Sequence, residues 1–178
     1  MVLEIRLAAP GDESAIAHVH VESWRTTYRG IIEDSYLQDI SKDRRQQMWK
    51  GAIEQGYEKS CLFVAVDEGE IVGFANAGPE RTNGYGIDTE LFAIYLLKDY
   101  QKKGIGRKLV EQVARFLQEK NYQSMLVWVL TDNPGRQFYL SLLPEKVETK
   151  LIGIGGEHYE EIAFAWRDLK ELLSKLDK

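Results

Sequence analysis

The amino-acid sequence predicts an α/β (α+β) fold, and three observations carry the prediction. Thr89–Leu96 is a strand apolar on both faces, the pattern of a strand central to a sheet. The chain then passes through a basic, glycine-bearing loop into a helix with apolar residues at Ile105, Leu109, Val113, Phe116 and Leu117, one face of a 3.6-residue period. Two pairs of short apolar segments, one early and one late, are separated by turn residues and read as β-hairpins. No internal repeat, low-complexity tract or linker interrupts the 178 residues, so residues 1–178 are expected to form a single domain with a full core.

Taken in order, Glu4–Ala8 is a first strand ended by Pro10-Gly11. Asp12 and Glu13 place acid in the first turn of a helix reaching to about Tyr28, where the dipole favours it. Its inner face is expected at Ile16, Val19, His20 and Ser23 or Trp24. His18 and His20 lack a Cys or carboxylate at ligand spacing, so no metal site is expected. A helical turn at Asp34–Gln38 precedes a helix at Lys42–Gln55, with Met48, Trp49 and Ile53 packed and Arg44, Arg45 and Lys50 solvated. Cys61–Val66 and Glu70–Ala77 form the first hairpin across Asp67-Glu68-Gly69. After a break at Asn83–Gly86 comes Thr89–Leu96, where strict alternation puts Glu90, Phe92, Ile94 and Leu96 on one face and Leu91, Ala93 and Tyr95 on the other.

Gln123–Leu130 is a further apolar strand. Asn133-Pro134 is a helix-start signal, with Asn as N-cap and Pro in the first helical position. That helix carries Phe138 and Tyr139 and stops by Pro144. Lys146–Ile154 and His158–Trp166 pair across Gly155-Gly156, and Arg167–Lys178 is an amphipathic or partly frayed tail.

Composition narrows the function classes. A net charge of −5, from 23 basic and 28 acidic residues, argues against a general nucleic-acid binder and is compatible with cationic amine substrates. One cysteine, Cys61, excludes an internal disulfide, and its apolar neighbours read as those of a buried strand thiol. Without a basic segment leading into a long apolar run, no signal peptide or membrane span is expected, and a cytoplasmic location follows by default.

The loop Gln101–Arg107 sits at a helix N-terminus, where backbone N–H groups have no intrahelical partner. Gly104 and Gly106 lack a Cβ and let a ligand approach the backbone, and Lys102, Lys103, Arg107 and Lys108 add positive charge. The combination is an anion site suited to phosphate or pyrophosphate. It is not a P-loop, for no Gly-Lys-Ser/Thr follows at the required spacing, and Leu109 stands where a Rossmann fingerprint needs a small residue.

What the loop does resemble is the acyl-CoA loop of the GNAT superfamily of N-acetyltransferases, on Glu90-Leu-Phe-Ala-Ile-Tyr-Leu96 leading to Tyr100-Gln-Lys-Lys-Gly-Ile-Gly106. Asn133-Pro-Gly-Arg-Gln-Phe-Tyr139 is similar to the family's Asn…Phe-Tyr helix, and Trp24…Tyr28-Arg-Gly-Ile looks like a subfamily signature. The family often continues with Gly and an aromatic where this chain has Leu143-Pro144, which leaves that turn and the tilt of Tyr139 open.

The resemblance implies a mixed, mostly antiparallel central sheet with flanking helices. It also implies an acetyl-CoA-dependent N-acetyltransferase in which a primary amine attacks the thioester directly in a ternary complex. Gln101, Lys102, Lys103, Gly104, Ile105, Gly106 and Arg107 would hold the CoA pyrophosphate, and backbone groups of Ile94 and Leu96 the pantetheine arm. Asn133 and Arg136 would add contacts to pantetheine and to the adenosine phosphate. Glu90 matches the family's general base and Tyr139 its general acid. The plainer alternatives are a strand-end glutamate facing solvent and a tyrosine packed beside Phe138.

Trp24, Tyr28, Arg29 and Tyr85 are the candidate acceptor contacts, with core packing as the alternative for the aromatics. The acceptor is a small-molecule amine or an exposed protein amine, with no metal, nucleic acid or membrane involved; a homodimer is compatible with the family. A non-catalytic acyl-CoA-binding sensor is the second reading. Retention of both Glu90 and Tyr139 argues against it, because binding needs neither.

Overall fold

The computed structural model describes residues 1–178. Its elements run β1 (Leu3–Leu7), α1 (Glu13–Thr27), α2 (Asp34–Asp39), α3 (Lys42–Gln55), β2 (Cys61–Asp67), β3 (Glu70–Pro79) and β4 (Thr89–Leu96). After a 3-10 turn at Lys98–Tyr100 come α4 (Ile105–Glu119), β5 (Met125–Leu130), α5 (Arg136–Leu140), β6 (Glu145–Ile154), β7 (Glu157–Trp166) and α6 (Leu169–Leu176). The strands form one sheet in the order β1-β2-β3-β4-β5-β7-β6. Every neighbouring pair is antiparallel except β4 with β5.

Both hairpins close through residues of positive φ, Glu68 and Gly69 in the first and Gly155 and Gly156 in the second. Positive φ at both central residues is what a tight two-residue hairpin turn requires. The first turn is therefore shorter than the expected Asp67–Gly69, and Asp67 is a strand residue.

Helix α4 buries Ile105, Leu109, Val113 and Leu117 as its period predicts, together with Val110 and Ala114. They pack on one face of the sheet with Leu169, Leu172, Leu173 and Leu176 of α6. The C-terminal tail is thus a docked helix, capped where Asp168 accepts from the Lys170 N–H at 2.8 Å. On the opposite face Ile16, Ala17 and Val19 of α1 and Trp49 and Ile53 of α3 cover β2 and β3. Two expectations for α3 fail: Met48 is 44% exposed, whereas Arg45 is half-buried with its Nε–H enclosed and unpartnered. The α1–α3 contact, centred on His20 and Trp49, turns the Arg45 edge inward and leaves Met48 on the rim.

Two irregularities in β4 shape everything downstream. Its register against β3 shifts between the Asn76–Ala93 and Ala77–Leu91 pairs, so Phe92 is an extra residue in a β-bulge. A bulge exchanges the faces of the residues beyond it. Leu91 therefore joins Ile94 and Leu96 on the α4 side, while Ala93 and Tyr95 face α1 and α3. Glu90 lies opposite Leu126, whose side chain is on that second face, so Glu90 shares a face with Tyr95 and not with Ile94. Strict alternation from the sequence is overturned at this point.

The second irregularity is the β4–β5 pairing itself, which covers only Thr89, Glu90 and Leu91 opposite Met125, Leu126 and Val127. Below it the strands are held together where Thr89 Oγ1 donates to the Ser124 carbonyl at 2.6 Å and the Asp88 N–H donates to Ser124 Oγ at 2.8 Å. Above it β5 stays paired with β7 as far as Leu130 while β4 stays paired with β3 as far as Leu96. The two central strands separate beyond Leu91.

Candidate active site

Around the gap between β4 and β5 lie several, though not all, of the residues selected from the sequence. At its far end lies the glycine loop. Gly104 adopts φ +81° with open space where a Cβ would be, and Lys102 is also left-handed at φ +60°. The N–H groups of Ile105, Gly106 and Arg107 donate to no carbonyl, leaving the first turn of α4 with free donors. Fixed N–H dipoles at the positive end of a helix form a site for an anion.

The lysines Lys102 and Lys103 are exposed around this turn, with the Lys103 ammonium 5.4 Å from the Tyr100 ring centre. Gln101 folds back to donate from Nε2 to the Leu96 carbonyl at 3.2 Å. Arg107 behaves differently from its neighbours: its guanidinium donates to the Lys175 carbonyl of α6 at 2.6 Å. Its backbone N–H stays among the free donors of the first turn of α4 while its charge caps the far end of α6.

Gly106 also marks a packing contact. A Cβ there would meet the Phe138 ring at 3.5 Å, an ordinary contact distance, where α5 lies against the start of α4. Phe138 in turn meets Tyr139 edge-on, with ring centres 5.3 Å apart. Tyr139 is buried beside the α4-side core, and burial followed by the nearby Tyr95 phenol pushes its ionisation well above the ordinary tyrosine value. A phenol so placed keeps its proton until a stronger base appears.

Asn133 is not the N-cap of α5, which begins at Arg136. Instead its Oδ1 accepts from the Gly135 N–H at 2.7 Å, and a preliminary turn leads into the helix. Its Nδ2 donates to the Tyr28 hydroxyl at 3.2 Å, tying the end of α1 to the start of α5. Arg136 is half-buried at the first position of the helix.

Tyr28 is buried, and burial, then Tyr95 and Tyr139, drive its ionisation well above the usual value. Trp24 lies 4.7 Å from Tyr28 and 6.4 Å from Tyr95, ring centre to ring centre, with its indole N–H enclosed and unpartnered. Tyr28 and Trp24 approach from the α1 side and Tyr139 from the α4 side, so the phenols meet across the gap in the sheet. Arg29 is exposed beside them and stands outside this cluster.

Tyr95, passed over by sequence reasoning, is central here: it stacks on His20 with rings 14° from parallel and centres 5.4 Å apart. His20 accepts at Nδ1 from the Trp49 indole N–H at 3.1 Å, and burial, helped by Arg45, lowers its pKa to about 4. A tyrosine, the one phenol in a largely apolar strand, was the available signal for Tyr95.

Glu90 is 2% exposed, so it does not face solvent. Both of its oxygens are occupied, with Arg81 Nη2 donating to Oε2 at 2.7 Å and Arg81 Nε to Oε1 at 3.2 Å. Arg81 comes from the β3–β4 loop, within the Arg81–Tyr85 segment that the sequence offers as part of the acceptor wall, but its pairing with Glu90 has no local signal. The loop is shaped by Glu80, which accepts from the N–H groups of Thr82 and Asn83 at 3.0 and 2.6 Å. Tyr85 closes over the same face, edge-on to Trp128 at 6.1 Å and hydrogen-bonded to Glu148 of β6. Trp128 also carries the Lys150 ammonium 4.0 Å above its ring centre.

Residues 18–142 match the acetyltransferase (GNAT) family. The chain is 39% identical to the uncharacterised N-acetyltransferase YuaI of Bacillus subtilis, over 99% of this chain and 100% of the relative. It is 24% identical to a spermidine N(1)-acetyltransferase of Thermoplasma acidophilum, over 78% of this chain and 86% of that one. Its fold matches the crystal structure of a PaiA N-acetyltransferase from Thermoplasma acidophilum in complex with coenzyme A. The TM-score is 0.72 at 21% identity, covering 91% of this chain and 98% of the other. A putative acetyltransferase, YncA, from Salmonella typhimurium with acetyl-CoA also gives 0.72, at 20% identity and 94% coverage of each chain. With the splayed strands, the glycine loop at a helix N-terminus and the Asn…Phe-Tyr segment all in one gap, the chain belongs to the acetyltransferase (GNAT) family.

Proposed function

We propose that the protein is an acetyl-CoA-dependent N-acetyltransferase that acetylates a primary amine by direct attack on the thioester. The observation that carries this reading is the separation of β4 from β5 beyond Leu91. It frees the backbone of Phe92–Leu96 on one side, with free helix N–H donors at one end and the Tyr139 phenol alongside.

The pyrophosphate of acetyl-CoA lies on the N–H groups of Lys102–Arg107, and the pantetheine arm adds to the free edge of β4 through Ile94 and Leu96, a form of strand addition. Asn133 and Arg136 flank it from α5. The amine nitrogen bonds to the acetyl carbonyl carbon, the C–S bond breaks, and the CoA thiolate takes the Tyr139 proton. The proton lost by the amine passes to Glu90, directly or through water. A main-chain N–H near Leu96 polarises the carbonyl as charge develops on its oxygen. Trp24, Tyr28 and Tyr85 wall the acceptor side. The named relative that acetylates spermidine supports including polyamines among the candidates.

Calorimetric titration with acetyl-CoA, CoA and ADP, followed by thiol release with an amine panel, tests this. Selective acetyl-CoA binding with thiol release from one amine class is expected. Tyr139→Phe should lower kcat about 10²-fold with acetyl-CoA affinity retained, the usual scale for a general acid. Binding without turnover under any amine would establish a sensor, and absence of selective binding would overturn the loop assignment.

A further inference from the structure

Glu90 presents a contradiction that the geometry resolves. As a base it must offer an oxygen to the incoming amine, yet both oxygens are held by one guanidinium. The partners are unequal: the Glu90 side chain is 2% exposed and that of Arg81 67% exposed. The arginine reaches in from solvent on an irregular loop, 5.3 Å above the Phe92 ring at the bulge. An enclosed carboxylate stripped of its cation is costly, so any group that displaces Arg81 must itself bring positive charge.

A second observation shows where Arg81 would go. Glu161 on β7 lies on the same face of the sheet, opposite Leu130, and is 8% exposed. Its carboxylate has one ion-pair partner, the Lys150 ammonium, at a loose 3.6 Å. Lys150 is drawn at the same time to the Trp128 ring. Burial raises the pKa of Glu161, and the charges of Lys150 and Arg81 offset it only in part. Glu80, the other acid acting on Arg81, is committed to its turn through Thr82 and Asn83.

We infer that Arg81 is the specificity-determining residue of the acceptor site: its guanidinium holds the place on Glu90 that the acceptor's ammonium takes, and swings toward Glu161 when that ammonium arrives. The inference rests on the reading of Glu90 as the group that meets the amine. It gives the acceptor class as alkylammonium, a protonated aliphatic amine able to exchange for a guanidinium. Arylamines, which are neutral at pH 7, leave Glu90 and Arg81 paired. The arginine acts as a built-in competitor, and its occupancy lowers the apparent affinity by the fraction of sites it leaves free.

The test uses the full chain and two probes, n-butylammonium and methylguanidinium, in calorimetric titrations of the wild type, Arg81→Ala and the double variant Arg81→Ala/Glu90→Gln. Arg81→Ala should bind both cations about tenfold more tightly than the wild type, the gain expected when a competitor holding nine-tenths of the sites is removed. The double variant should lose that gain. Equal binding by wild type and Arg81→Ala, or a gain that survives Glu90→Gln, overturns the inference. In turnover, Arg81→Ala should lower the KM of an alkylamine and make added methylguanidinium a competitive inhibitor; a raised KM sinks the idea. Acetyl-CoA titration of the same proteins is the separate control. Failure there rejects the transferase reading, whereas failure of the cation arms with acetyl-CoA bound rejects only the role of Arg81.

Discussion

Gly73 of β3 lies directly beneath Leu96 of β4, so close that a Cβ at position 73 would overlap the Leu96 Cδ2 methyl and approach the Tyr95 carbonyl to 3.1 Å. The glycine permits a leucine at the last residue of β4, where the free edge of the strand ends and the loop toward the helix N-terminus begins. Gly73→Ala should therefore move Leu96 and cost about 1–3 kcal/mol of stability, as overpacking does. Urea denaturation gives the stability and calorimetry gives acetyl-CoA affinity. Both should fall, while an added Cβ at Gly106, at ordinary contact distance from Phe138, should cost less stability.

Leu143 occupies the turn after α5 at φ +52°, a conformation favourable to glycine and costly for a branched side chain. It is 71% exposed, so little apolar burial repays the strain. Where the family often has glycine, this chain thus places a leucine in a glycine-favouring conformation. Leu143→Gly should raise stability by up to about 1 kcal/mol, the usual cost of a left-handed non-glycine residue. An unchanged or lower denaturation midpoint would show that the turn is unstrained.

His20 makes a pH-dependent contribution of defined sign. Its folded pKa of about 4 lies below the ordinary 6.5 because the ring is buried and neutral. Between those values the unfolded chain binds a proton that the folded chain does not, so stability is full above pH 6.5 and falls as pH drops toward 4. The loss reaches at most about 3 kcal/mol. Denaturant titrations from pH 7 to 4 should show this slope, and His20→Gln, which keeps an acceptor for the Trp49 indole, should flatten it.

Tyr28 joins two segments through the Asn133 amide, and Tyr28→Phe deletes only the accepting hydroxyl. The expected loss is about 1 kcal/mol, the net worth of one hydrogen bond. Because the same contact orients the turn into α5, the KM for acetyl-CoA should rise with little change in kcat. A large fall in kcat at unchanged KM would instead assign Tyr28 to the chemistry.

Much of the fold was legible from local chemistry. The period of α4, the turn residues of both hairpins and the glycine loop specify elements through interactions of near neighbours, and each element appears within a few residues of its expected bounds. The same local chemistry nominated Gln101–Arg107 as an anion loop, and the resemblance to the acetyltransferase family nominated Asn133, Tyr139 and Glu90, before the gap between β4 and β5 was known. What sequence left undecided depends on contacts between distant segments. The bulge at Phe92 exists only against β3, and it alone decides that Glu90 faces the α1 side with Tyr95.

Arg81 reaches Glu90 because the β3–β4 loop folds around Glu80, and Arg107 turns away because α6 docks beside α4. Arg45 and Met48 exchange their expected exposures because α1 packs on one particular edge of α3. Residue type and spacing, read with the family resemblance, nominated the groups proposed to carry the chemistry. Tertiary structure decided which of them are free, because a side chain's partner is set by the element that packs against it, and no local pattern encodes that element.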